Sequence, residues 1–233
     1  MSKALHTTKT RLARMTPGHT LRKIATKRII QKFADELGMV YFGYVDQRDD
    51  EHRLVRGFTM SSSHGDHHYT VGTYKTYDTS LVVRRDAMEY GDKRIKDHYW
   101  TIMTFDLKTP FELPHFHILH HRRKEQLVAK FTQLAEMPRQ AFIGHEPRFF
   151  DMYTIYGKLE KIQENCQLIT PMMTQTIFQS FEGMSVEVFE NTLYLYLTSK
   201  HPTRPELERM LRSGTWLAQS LDQSASVCYV RVG

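Results

Sequence analysis

The chain has 233 residues, of which 40% are hydrophobic and 25% charged, so it has the length and composition for a folded core and is not a low-complexity protein. Its net charge of +6 is unevenly held: the first 34 residues carry nine Lys and Arg and no acid, while the rest carry 23 basic and 26 acidic residues. No run approaches ~18 apolar residues, which excludes a spanning helix, and Cys166 and Cys228 alone make no disulfide framework, so reduced thiols of a cytosolic protein are expected.

Residues 1–18 are polar, end in the turn signal Thr16-Pro17-Gly18, and are expected to form a flexible basic tail. They hold no apolar run before a cleavage site, so a secretory signal is not expected. The acid-free start has a transit-peptide composition, but Ile24 to Leu37 reads as structure continuous with the body. A helix is predicted from Thr20, its N-cap, to Gly38. Leu21, Ile24, Ala25, Ile29, Phe33, Ala34 and Leu37 would form one buried stripe, leaving Arg22, Lys23, Lys27, Arg28 and Lys32 on the polar face.

A β-rich stretch follows. Candidate strands are Met39–Val45, Leu54–Met60, and His67–Tyr77, where Gly72 suggests a bulge or a close approach. Leu81–Arg84 reads as a short edge strand, and His98–Leu107 as a strand covered on both faces. Polar connections such as Asp46–Arg53 and Asp86–Asp97 suit an antiparallel meander. After Pro114 come a strand at His115–Leu119, a helix at Arg122–Glu136 ended by Pro138, and a strand at Met152–Tyr156.

The last third has the clearest local signals. Thr170 caps a helix with Pro171 at its first position; Met173, Ile177 and Phe181 would face inward, and Gly183 stops it. Val186, Val188, the Glu190-Asn191 turn, and Leu193, Leu195 and Leu197 make a β-hairpin. Thr203-Arg204-Pro205-Glu206 is a capping box opening a helix with Leu207, Met210, Leu211, Gly214, Leu217, Ala218 and Leu221 inward. Gly214 on that face implies close packing. Val227–Val232 reads as a final strand.

The order of Leu113-Pro114-His115, Phe149-Phe150-Asp151, Thr170-Pro171, Val186-Glu187-Val188 and Leu193-Tyr194-Leu195-Tyr196, closed by the Leu217 stripe, resembles a bacterial family of uncharacterised conserved proteins, a domain of unknown function. The resemblance covers about half of the chain. It implies an α+β fold; it also implies relatives whose domain often follows membrane-spanning helices, which this chain lacks. It brings no catalytic residues.

Thirteen histidines are the second oddity of composition. On a strand His115 and His117 share a face. Such a pair can hold Zn²⁺ if a third ligand arrives, and His64, His67 or His68 could supply it. No His-Glu-x-x-His or Cys-x-x-Cys supports that chemistry. The simpler expectation is that the pair lies on the solvent side of an edge strand, that residues 64–68 form a polar loop, and that no metal or other cofactor is bound.

No Gly-x-Ser-x-Gly elbow, P-loop or Gly-x-Gly-x-x-Gly is present, so no catalytic residue is assigned and enzymatic activity is not expected. Tyr41, Phe42, Tyr44, Tyr69, Tyr74 and Tyr77 beside basic residues could stack nucleic-acid bases, although Tyr on strands is usually a sheet former. The reading that best accounts for the charge is a single α+β domain over residues 19–233, with any subdivision near 108–138. A central, mostly antiparallel sheet would carry the N-terminal helix and the C-terminal helices. It would be a non-enzymatic binding or scaffold domain of the cytoplasm, docking on an anionic membrane surface or acidic partner. Lys3, Lys9, Arg11, Arg14, Arg22, Lys23, Lys27, Arg28 and Lys32 would carry that docking. A nucleic-acid-binding protein is the alternative, and a histidine-ligated metal enzyme the third reading.

Overall fold

The structure, a computed structural model, describes residues 17–44, 63–89, 95–121 and 134–230. The predicted strand at Leu54–Met60, most of the predicted helix at Arg122–Glu136, and Lys3, Lys9, Arg11 and Arg14 lie outside these residues.

Helix α1 spans Pro17–Glu36. It starts before the predicted Thr20 because Pro17 suits the first helical turn, where its missing N–H is no loss. Among the described residues nine strands follow: β1 (Val40–Tyr44), β2 (Ser63–Tyr74), β3 (Tyr77–Glu89), β4 (Ile95–Asp106), β5 (Phe116–His120), β6 (Ala135–Glu136), β7 (Tyr153–Gly157), β8 (Met184–Phe189) and β9 (Thr192–Leu197). Among them lie α2 (Phe149–Met152), α3 (Ile162–Leu168) and α4 (Pro171–Ser180), and α5 (Arg204–Val230) ends the described chain. The strands form one sheet in the order β1-β2-β3-β4-β9-β8-β5-β7-β6. Every pairing is antiparallel. The expected α+β class and antiparallel sheet are therefore observed.

Strand periodicity divides the sheet into two faces. One face presents Leu81, Val83, Met103, Phe105, Val186, Leu195 and Ile118, and packs with Ile30 and Phe33 of α1, Met173 and Ile177 of α4, and Leu207, Met210 and Leu217 of α5. The other presents Val82, Trp100, Ile102, Tyr194, Tyr196, Leu119 and Tyr156 as a second cluster. Both registers of β4 are thus buried, as its two apolar sets require.

Local signals in the last third are met in detail. Thr170 Oγ1 accepts from the Met173 N–H at 3.3 Å. Glu190 and Asn191 both take positive φ, +48° and +55°, the conformation of a two-residue I′ hairpin turn. Glu206 Oε2 accepts from the Thr203 N–H at 2.7 Å, while Thr203 Oγ1 accepts in return from the Glu206 N–H. Gly72 lets β2 approach Met39, where a Cβ would lie 2.9 Å from Met39 Cγ.

Gly214 admits the ring of Phe105: a Cβ there would lie 2.0 Å from the ring edge. Phe105 is fully buried and has nowhere to move. Gly214→Ala should therefore destabilise by about 2 kcal/mol despite its better helix propensity. Urea unfolding tests this, and an unchanged or raised midpoint would refute it.

Several expectations are corrected. β3 is a thirteen-residue interior strand between β2 and β4, not a short edge. The sequence reading ends this strand at Arg84 and opens a polar connection at Asp86, but Arg84 and Asp86 are both strand residues buried on the second sheet face. Residues 227–230 continue α5 rather than forming a strand, so the helical context overrides the β-branched composition. Ala135 and Glu136 pair with β7 instead of ending a helix. The inward stripe of α1 is rotated: Thr26, Ile30, Phe33 and Ala34 are buried, while Leu21 is 65% and Ile24 44% exposed.

Candidate anion-binding site

The anchored half of α1 fixes the direction of its basic half. Residues 23, 26, 27 and 30 follow the i, i+3, i+4, i+7 spacing of one face. Ile30 and Thr26 are buried, so Lys23 and Lys27 come to lie against the sheet. There they line a groove of about 470 Å³ with Ile24 and Thr26 of α1, His67 and His68 of β2, and Val83 and Arg85 of β3. Tyr99 of β4 and Lys200 and His201, which follow β9, complete it. All five predicted α1 cations are exposed; Arg22, Arg28 and Lys32 are not part of this lining.

A β-bulge places both histidines here. His67 pairs with Val83 and Thr70 with Leu81, so β2 advances three residues while β3 advances two. The extra residue re-aims the strand locally. His68 takes φ +58°, the left-handed region that few non-glycine residues enter. Adjacent strand residues would normally face opposite ways, yet His67 and His68 line the same groove.

Hydrogen bonds orient the imidazoles. Thr26 donates its hydroxyl proton to the Arg22 carbonyl at 2.9 Å. The 2.7 Å contact between Thr26 Oγ1 and His201 Nδ1 must then use a proton on Nδ1. The Tyr41 hydroxyl contacts His68 Nδ1 at 2.7 Å. Burial, then His67, Lys27, His201 and Lys23, push His68 down to about 4. Burial also lowers His67, with Lys23 and Arg85 adding to it and Asp66 opposing. Near neutral pH His68 is therefore an uncharged group among cations.

Ion pairs join α1 to α5. Arg204 at the start of α5 bonds Glu36 at the end of α1 and also Glu208 at 2.6 Å, and its guanidinium stands 5.4 Å from the Phe33 ring centre. Thr101 donates to the Ser199 carbonyl at 3.1 Å, tying the Lys200-His201 segment to β4. Lys200 Nζ lies 4.3 Å from the Tyr99 ring centre, a cation–π contact.

The histidine pair on β5 has a different setting. β5 is an interior strand between β8 and β7, so its expected solvent-facing edge position is corrected. His117 is fully buried and stacks on Tyr196 at 5.8 Å. Glu187, directly opposite His117 on β8, accepts from the Tyr196 hydroxyl at 2.5 Å and contacts His115 Nε2 at 2.9 Å. Four strands separate β5 from β2. At ~4.8 Å per step that is roughly 24 Å, so His67 and His68 do not reach this pair. His64 lies on β2 as well. No group of three potential metal ligands occurs among the described residues.

Sequence reading missed Thr26, Arg85, Tyr99, Lys200 and His201 as groove residues. It also missed Glu187 as a buried hub. The one local signal was Lys200-His201, a basic pair immediately before the capping box.

No protein-family model matches this chain, and no curated protein does. Among solved structures it is similar to the crystal structure of the mycobacterial trehalose monomycolate transport factor A, TtfA. The TM-score is 0.60, with 84% of this chain and 94% of that chain covered at 11% identity. The shared feature at that identity is the α+β fold. No described helix is long and apolar enough to cross a membrane.

Proposed function

We propose that this protein is a non-enzymatic binding domain that docks on an anionic membrane surface through α1. The observation that carries this is the helix's division of labour. Its C-terminal half is built into the core through Ile30, Phe33 and Ala34, while its N-terminal half presents Arg22 and Arg28 beside exposed Leu21, all three outside the groove lining. An exposed apolar residue among cations suits the boundary between head groups and acyl chains. Each Lys or Arg near an anionic leaflet contributes about 1 kcal/mol. In this reading the protein works in the bacterial cytoplasm, peripheral to the membrane, in keeping with its resemblance to a family whose relatives are often tethered there.

Co-sedimentation with phosphatidylcholine vesicles, with and without phosphatidylglycerol, tests the reading. Binding should require phosphatidylglycerol and fall with salt. Arg22→Ala with Arg28→Ala should weaken it by about 2 kcal/mol, roughly thirtyfold. Equal binding to both vesicles, or no effect of the double substitution, would refute it. A steep salt slope on single-stranded oligonucleotides without vesicle binding would favour the nucleic-acid alternative instead.

A further inference from the structure

The groove beside α1 is a separate matter from the outward face of that helix. Its volume of about 470 Å³ is that of a small-molecule site. Positive groups enter it from three directions: Lys23 and Lys27 from α1, Arg85 from β3, and Lys200 from the segment after β9. Among the described residues no carboxylate lines it. The acids nearby are engaged elsewhere: Asp66 pairs with Arg84 on the opposite face of the sheet, and Asp97 holds Arg85 Nη2 at 2.8 Å.

Two features of the groove are costly. Four cations converge on it, of which Arg85 is paired with Asp97, and His68 sits in a left-handed conformation that is unfavourable for a residue with a Cβ. The bulge responsible has one visible result, which is that consecutive imidazoles share the groove. Imidazoles supply directed hydrogen bonds at fixed positions; the lysines supply charge over a range of positions. Ile24, Val83 and Tyr99 add an apolar wall for an organic portion.

We infer that this groove binds a phosphomonoester, with Lys23, Lys27, Arg85 and Lys200 neutralising the phosphate and His68 directing one of its oxygens. A monoester carries a charge of about −1.5 to −2 at neutral pH and three acceptor oxygens. A diester carries one charge and offers fewer acceptors, so convergent cations favour the monoester. The inference rests on the groove alone and holds whether or not α1 docks on a membrane.

Calorimetric titration of the full chain with glycerol 3-phosphate tests it. The monoester should bind, and a glycerophosphodiester should bind at least about tenfold more weakly, since a hydrogen bond to a charged group contributes about 1.5–3 kcal/mol. Lys27→Ala with Lys200→Ala should weaken the monoester by about tenfold or more. Lys27 is exposed and Lys200 only partly buried, so the fold should survive, as an unchanged melting curve would show. His68→Asn should weaken binding while keeping the backbone, because Asn tolerates positive φ. No heat of binding, equal affinity for the diester, or indifference to all three substitutions would overturn the inference. Vesicles identify the source of the group: preference for phosphatidic acid over phosphatidylglycerol, relieved by free glycerol 3-phosphate, assigns a lipid head group. Binding of the free ester without that preference assigns a soluble ligand. In the Arg22→Ala, Arg28→Ala protein, monoester binding should persist while vesicle binding falls, which keeps the two readings distinguishable.

Discussion

Asp66→Asn should destabilise the protein by about 3–5 kcal/mol, the expected cost of leaving one member of a buried ion pair without its partner. Asp66 and Arg84 stand directly opposite each other on β2 and β3. Both are 2% exposed. Arg84 Nε donates to Asp66 Oδ1 and Nη2 to Oδ2, each at 2.8 Å, a two-pronged geometry that Asn cannot reproduce. Asp86 also acts on Arg84 electrostatically and offsets part of the loss. The double substitution Asp66→Leu, Arg84→Leu should recover part of the stability, because it removes both members of the pair, although buried Asp86 then loses a nearby cation. Urea unfolding midpoints for the three proteins decide the matter. If Asp66→Asn lies within about 1 kcal/mol of the parent, the pair is not the clamp described here. The clamp also bears on the groove: Asp66 immediately precedes His67, so loosening it should weaken monoester binding without removing any groove side chain.

What could be read from sequence follows the range of the interactions involved. The caps at Thr170 and Thr203 and the Glu190-Asn191 turn are settled by residues within four positions of each other. Each stood out in the sequence. The order of strands depends on contacts over much longer spans: β4 pairs with β9, and β5 inserts between β8 and β7. That insertion buries His117 and leaves no local trace. The length of β3 was hidden because the charged residues from Asp86 onward read as a connection, whereas here the alternate members Arg84 and Asp86 are buried in the strand. The α1 cations were identified correctly as exposed, but their partition was not. Whether Lys23 and Lys27 meet His68 depends on the helix's rotation, set by Ile30 and Phe33, and on a bulge that only the strand register reveals. The groove joins residues near 23–27, 67–68, 85, 99 and 200–201, a set that no spacing rule brings together.

Stability should fall as pH drops from about 6.5 to about 4, and His117 should account for much of the loss. Burial, opposed by Glu187 and reinforced by His115, pushes His117 down to about 4 from its usual 6.5. Between those values the unfolded chain binds a proton that the folded chain does not. Lowering the pH through this window therefore favours unfolding. The contribution is fully present above 6.5, declines across the window and levels off below about 4. Its size follows from a shift of roughly 2.5 pH units, about 3 kcal/mol. His68, also lowered to about 4, acts in the same direction. Glu36 and Asp78, held low chiefly by bonds from Arg204 and from Thr73 and Lys108, act mostly below this window. Urea unfolding at a series of pH values should show the decline, and His117→Gln should flatten a large part of it by removing the titrating ring. Glu187 gives the opposing outcome a definite meaning. Its carboxylate already contacts His115 and Tyr196. A profile for the parent protein that is flat from pH 7 to 5 would mean that this carboxylate accommodates the His117 proton inside the sheet, and that burial does not exclude the imidazolium.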